Sequence, residues 1–238
     1  MFDVTALTLA LLAAPATPGL YVEQTTVVYE DGRPSGPGVQ TRAWHAEQRL
    51  RLEAGDASGG PALVLRLDLD RAWRLDPALR TAVELDTARL RARAQADAAV
   101  AAGMTGGGEE GSVRSTALQG SRTIAGHRCR GFRLTGPSLQ MVVWVAETVP
   151  VGVETFASFL EWSGAHQSLG GLLAEIRALP GFPLQTHTRV STADGLRETV
   201  STVTAIHVGP QPPELFEVPA GWSVERAPAE ISPGEAHR

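Results

Sequence analysis

One stretch of the chain gathers the residue types of nucleophilic chemistry. Residues 122 to 134, RTIAGHRCRGFRL, hold the single cysteine, Cys129, beside His127, Arg128 and Arg130. The thiolate is the reactive form of cysteine, and nearby positive charge favours it. Strand geometry argues against that chemistry here. Ala125-Gly126 reads as a turn with a strand after it. In that strand Cys129 shares a face with His127 and Gly131, while Arg128, Arg130 and Phe132 point the other way. His127 then stands about 6.6 Å along the strand, out of reach of a base–nucleophile hydrogen bond. Only a residue from another strand could activate the thiol, so a packed cysteine is the expected state.

The other candidate constellations are thinner. The six histidines, at 45, 127, 166, 187, 207 and 237, show no metal-ligand spacing. His187 and His207 could meet across the last hairpin, but ordinary strand histidines explain them. No metal site and no cofactor is expected. The acidic pair of Asp68-Leu69-Asp70 sits where two short strands join, a normal place for aspartate in a turn. Ser163-Gly164-Ala165-His166 lacks the nucleophile elbow. TGGGEEGS, residues 105 to 112, has no lysine for a phosphate loop. No catalytic residue is assigned, and an enzyme is not expected.

What remains is apolar. Trp44, Trp73, Phe132, Trp144, Phe156 and Phe159 are spread through strands and a helical segment. Leu172 and Ile176 belong to an apolar stripe with Leu169, Leu173 and Leu179. Such residues either fill a core or line a cleft between a curved sheet and its covering helices, and ligand pockets are mostly apolar. The eight named first are the candidate cavity lining.

The elements that would position them are mostly strands. LYVEQTTVVY, VQTRAWHAEQRLRLE and ALVLRLDLDRAWRLDPALRTAVELD alternate β-rich runs with turn residues, as an antiparallel meander does. An alanine-rich helix over 86–102 follows, with a Gly103 stop and a glycine-rich linker over 103–112. It carries few large apolar residues and reads as a surface insertion. Strands resume near Val113 and run to LQMVVWVAE. Two helical pieces, VETFASFLEW and LGGLLAEIRALPG, come next, and Gly181 and Pro183 end the second. FPLQTHTRV and LRETVSTVTAIHV form a last hairpin. Helices interrupting an antiparallel sheet imply an α+β fold: a curved, half-closed antiparallel barrel with helices over its concave face.

Composition narrows the setting. All 21 basic residues are arginine and the net charge is −5. No basic cluster of the kind nucleic acid or an anionic membrane surface requires is present. Val4–Ala14 is an apolar run before Ala14-Pro15-Ala16, which reads as a signal peptide cleaved after about Ala16. The run is shorter than the roughly 20 residues of a transmembrane span. The expected organisation is a signal peptide over 1–16, one domain over 17–225 and a disordered tail over 226–238. The mature chain would be periplasmic or secreted, where a lone cysteine also leaves intermolecular pairing open.

LDLDRAWRLDPALRTAVELD, GSRTIAGHRCRGFRL, MVVWVAE, LPGFPLQTHTRV and ELFEVPAGWSVE occur in this order. Together they resemble a family of exported bacterial proteins of unknown function. That family is similar to the periplasmic lipoprotein carriers of the LolA and LolB type and to the regulator RseB. The resemblance implies a half-closed antiparallel barrel whose helices plug an apolar cavity, with a lipid or lipoprotein acyl chain as the partner. It also implies that Cys129 packs. No equivalent can be assigned to the carriers' cavity-facing arginine, because Arg42, Arg66, Arg74, Arg130 and Arg133 all lie in strands. The other readings are a solid-core module that binds an envelope protein and a thiol-dependent enzyme at Cys129.

Overall fold

The computed structural model describes residues 19–55, 60–105, 113–136, 139–151, 162, 165–192 and 195–226. The expected signal peptide, the helical piece over 153–161 with Phe156 and Phe159, linker residues 106–112 and tail residues 227–238 lie outside them.

The meander forms as its turn residues dictate. β1 (Leu20–Glu30), β2 (Arg33–Pro34), β3 (Val39–Ala46), β4 (Arg49–Ala54) and β5 (Ala62–Arg66) run in chain order. A 3-10 turn over Leu67–Leu69 leads into β6 (Arg71–Asp76) and β7 (Thr81–Leu85). Helix α1 spans Thr87–Thr105, and the Asp86 carboxylate accepts from the Arg89 amide at 3.2 Å as its cap. The helix runs two residues past Gly103, which does not stop it. β8 (Arg114–Ile124), β9 (His127–Thr135) and β10 (Leu139–Ala146) follow. Ala125 and Gly126, at φ 47° and 80°, make the tight turn between β8 and β9. Helix α2 is Ala165–Arg177, and β11 (Phe182–Thr192) and β12 (Gly195–Val208) form the last hairpin.

β13 (Ser223–Arg226) is an element the hydropathy pattern does not reveal. It pairs with β7 in parallel, the one parallel ladder among the described residues, in a sheet of thirteen strands. The strand order is β13-β7-β6-β5-β4-β3-β1-β12-β11-β10-β9-β8, with β2 beside β1. The sheet is open, with β13 and β8 at its edges. It curls strongly, since β8 touches β12 although three strands separate them.

Register fixes which face each helix covers. Val143 pairs with Thr186, Thr186 with Ser201, and Ser201 with Thr26. Leu20, on the same side of β1 as Thr26, pairs with His45; that row continues through Leu50, Leu65 and Ala72. Leu172 and Ile176 of α2 pack on Leu134, Val143 and Val145. Leu90 of α1 packs on Leu50, Leu65 and Ala72. Both helices therefore sit on one face, and they touch each other. This is the expected α+β class: an open, mostly antiparallel, curled sheet with helices on one face.

The opposite face is closed differently at its two ends. Residues 213–222 lay Leu215, Phe216, Val218 and Trp222 over Trp44, Val64, Trp73, Leu75 and Ala82. Toward β8, Cys129, Trp144, Ala146, Ile124 and Phe182 pack there, in a cluster that also reaches Leu20 and Val22 of the helix-bearing face.

Candidate functional site

Two β-bulges interrupt the central ladders close together. Between β1 and β12, Glu23 pairs with Ala205 and Gln24 with Val203, which leaves Thr204 as the extra residue. Between β10 and β11, Trp144 pairs with Gln185 and Val145 with Pro183, which leaves Leu184 extra. Pro183 has no N–H to give the ladder, so an irregularity there follows from the sequence. Bulges re-aim side chains and collect beside functional sites.

Clefts open at both bulges. The larger, about 210 Å³, is lined by Gln24, Phe182, Pro183, Leu184, Gln185, Thr186, Ser201 and Val203. The smaller, about 110 Å³, adjoins it at Gln24 and includes Thr41 and Thr204. Side by side they come near the lower end of the roughly 300–1,000 Å³ usual for ligand sites. Gln24, Thr41, Thr186, Ser201 and Val203 share the helix-bearing face by register. Ser201 and Thr26 join their hydroxyls at 2.9 Å. No described residue takes the side-chain groups of Gln24, Thr41 or Thr186.

Several polar groups of the opposite face are engaged with one another. Glu53 bridges Arg42 at 2.8 Å and Arg51 at 2.7 Å. Tyr21 donates its hydroxyl to Glu23, and burial first, then this bond, pushes its pKa up to about 12. Glu198 takes His187 at 2.6 Å and Arg189 at 3.0 Å, and these two hydrogen bonds hold its carboxyl below the usual range. Gln185 donates to Thr202 at 2.9 Å and accepts from Arg122 at 3.2 Å. His207 stacks on Tyr21 with centroids 5.9 Å apart, so His187 and His207 do not meet.

The candidate cavity residues divide between the faces. Phe132, Leu172 and Ile176 come together on the helix-bearing face, around Val143 and Leu134. Trp44 and Trp73 lie on the other face, under Leu215 and Phe216. Trp144 also lies there, paired with Gly131 on β9. These three tryptophans are core, not walls of a space beneath the helices. Alternation alone could not assign them, because both sheet faces carry apolar residues. Gln24, Thr41, Thr186 and Thr204 were missed. The signal present in the sequence was the polar run of β1 and β12, combined with Pro183 inside a strand.

Cys129 is fully buried. Its thiol donates to the His127 carbonyl at 3.4 Å, and burial raises its pKa. Arg128 and Arg130 do point away, to Ser121 and Glu147. Arg122, its cross-strand partner, stacks its guanidinium 4.4 Å from the Trp144 ring centroid instead of activating the sulfur.

The fold and site define a class: an open antiparallel sheet with two helices on one face and a polar-floored cleft between bulged strands. Residues 82–222 match the model of a domain of unknown function, DUF4412, and the chain belongs to that family. No curated protein matches it. Among solved structures it is similar to an uncharacterized conserved protein from Thermus thermophilus, at 10% identity over 88% of this chain and 91% of that one, with a TM-score of 0.42. It is similar to a domain from Vibrio parahaemolyticus described as outer membrane lipoprotein-sorting, at 8% identity over 84% and 90%, with a TM-score of 0.28. PNGF-II is similar over 89% of this chain at 11% identity with a TM-score of 0.37, and the match spans 31% of PNGF-II. Likenesses this loose carry no argument about activity.

Proposed function

We propose that the chain is an exported, non-catalytic binding protein that holds a lipid or acyl chain between its sheet and its helices. The observation that carries this reading is the pair of adjoining clefts at the bulges, in which Gln24, Thr41, Thr186, Ser201 and Val203 lie on the helix-bearing face. One end of the larger is apolar, with Phe182, Leu184 and Val203. The apolar side chains of α2 and α1 flank the same face. The segment resemblance to the lipoprotein carriers points the same way. No helix among the described residues is long and apolar enough to cross a membrane.

A second reading, a solid-core module that binds an envelope protein, is favoured by the closed packing of Val64, Trp73 and Phe216. Native mass spectrometry of residues 17–238 purified from a periplasmic fraction separates the two. A reproducible adduct of lipid mass, recovered by solvent extraction, is the expected result. A clean apo mass, with no binding of added acyl probes, would reject the carrier reading in favour of the module.

A further inference from the structure

We infer that the cleft selects an uncharged amphiphile, and that Gln24 reads its neutral polar head. The inference rests on the binding reading above and specifies the ligand class at the same site. Gln24 stands where the two clefts meet, next to a bulge. Its amide offers two donors and an acceptor oxygen, and no described side chain or backbone group takes them. Thr41, its register partner on β3, and Thr186 across the cleft have hydroxyls that no described residue engages. The charged clusters of the opposite face are closed by partners, as in Arg42–Glu53–Arg51 and His187–Glu198–Arg189. At the clefts the Gln24 amide and the Thr186 hydroxyl have no partner among the described residues, and Leu184 and Val203 stand beside them.

Among the described residues, none that lines the larger cleft is charged. The smaller includes Glu23 and Arg42, but their side chains are held elsewhere, by Tyr21 and by Glu53. A carboxylate or phosphate seated at Gln24 would lose hydration beside an Arg42 already neutralised by Glu53, which is costly. A neutral amide, ester or hydroxyl would find both a donor and an acceptor. The apolar tail would lie toward Leu184 and Val203.

Dodecanamide and dodecanoate differ in charge and share shape and chain, so they make the test. Their binding to the mature full chain is measured by calorimetry at pH 8. Dodecanamide should bind about tenfold more tightly, the worth of one or two net hydrogen bonds. Gln24→Leu should reduce that preference to about twofold or less with dodecanoate binding unchanged. Thr186→Val, which keeps strand shape, should weaken dodecanamide alone. Equal binding of the two probes, or a preference that survives Gln24→Leu in a variant of unchanged melting temperature, overturns the inference and leaves the carrier reading standing. Failure of both probes to bind removes the carrier reading and this inference with it.

Discussion

Trp162 donates its indole N–H to the Asp70 carboxylate at 2.9 Å, and Arg91 of α1 reaches the same oxygen. The Arg91 guanidinium also lies 5.3 Å from the Trp162 ring centroid. One turn residue between β5 and β6 thus holds both Arg91 in the first turns of α1 and Trp162, three residues before α2. The Trp162 bond first, then Arg91, keeps the Asp70 carboxyl below its usual range. Asp70 sits at φ 48°, a conformation that aspartate and asparagine tolerate best. The expected effect of Asp70→Asn is therefore small on the turn and selective for the clasp. A loss of about 1 kcal/mol in global stability is expected, since exposed ion pairs contribute little. Limited proteolysis should show faster cleavage near residue 162, and an unchanged cleavage pattern would mean the clasp holds nothing.

The face opposite α1 and α2 depends on residues that follow the last hairpin. Phe216 is fully buried against the cluster of Val64, Trp73 and Leu75. Arg51 ties the same segment down by donating to the Leu215 carbonyl at 3.1 Å. Phe216→Ala should cost about 3–5 kcal/mol, the usual range for a buried aromatic. Urea unfolding measures it, with an unchanged slope if the native and denatured states keep their compactness. A cost below about 1 kcal/mol would show that the segment packs loosely.

Strand-forming stretches and their turns were legible because β-branched runs alternate with Asp-Gly, Ala-Gly and Asp-Pro punctuation. Three things were not. β13 is exposed at all four positions, so no hydropathy pattern marks it. The faces of Trp44, Trp73 and Trp144 depend on long-range register and on what covers each side. The cleft lies at two bulges, and only Pro183 announces one of them locally. The α2 stripe was readable because Leu172 and Ile176 recur at helical spacing above a single apolar face.

Gly181 illustrates a residue legible for the wrong reason. In sequence it reads as the stop of α2. In the fold a Cβ there would lie 2.5 Å from the Ala146 carbonyl oxygen and 2.9 Å from the Glu147 amide nitrogen. Those are backbone atoms at the end of β10, which cannot swing aside. Gly181→Ala should destabilise by about 2–3 kcal/mol, as overpacking does. Gly209→Ala is the control, since no atom lies within 4 Å of its added Cβ. Equal melting temperatures for the two variants would contradict the close approach.

Cys129 provides a check on the reading of this residue as a packed cysteine. A buried sulfur with a raised pKa should resist alkylation at pH 8 in the native chain. In urea the same thiol should react at the rate of an ordinary cysteine, of pKa about 8.5. Mass spectrometry after iodoacetamide treatment reads both states. Rapid stoichiometric labelling of the folded chain would restore the nucleophile reading.

His45 is buried in the row between Leu20 and Leu50, and burial lowers its pKa from 6.5 to about 4. A histidine held neutral in the fold but free to charge in the unfolded chain stabilises the native state above pH 6.5. That contribution is lost progressively as pH falls from 6.5 toward 4, where the unfolded state binds the proton and the folded state does not. The full difference amounts to about 3 kcal/mol at most. Unfolding free energy measured from pH 8 to pH 4 should therefore decline through this window in the wild-type chain. His45→Phe should remove most of the decline, leaving the carboxylate contributions that appear at lower pH. If the two profiles run parallel, His45 is charged in the native state, and its place in the apolar row must open to water as pH falls.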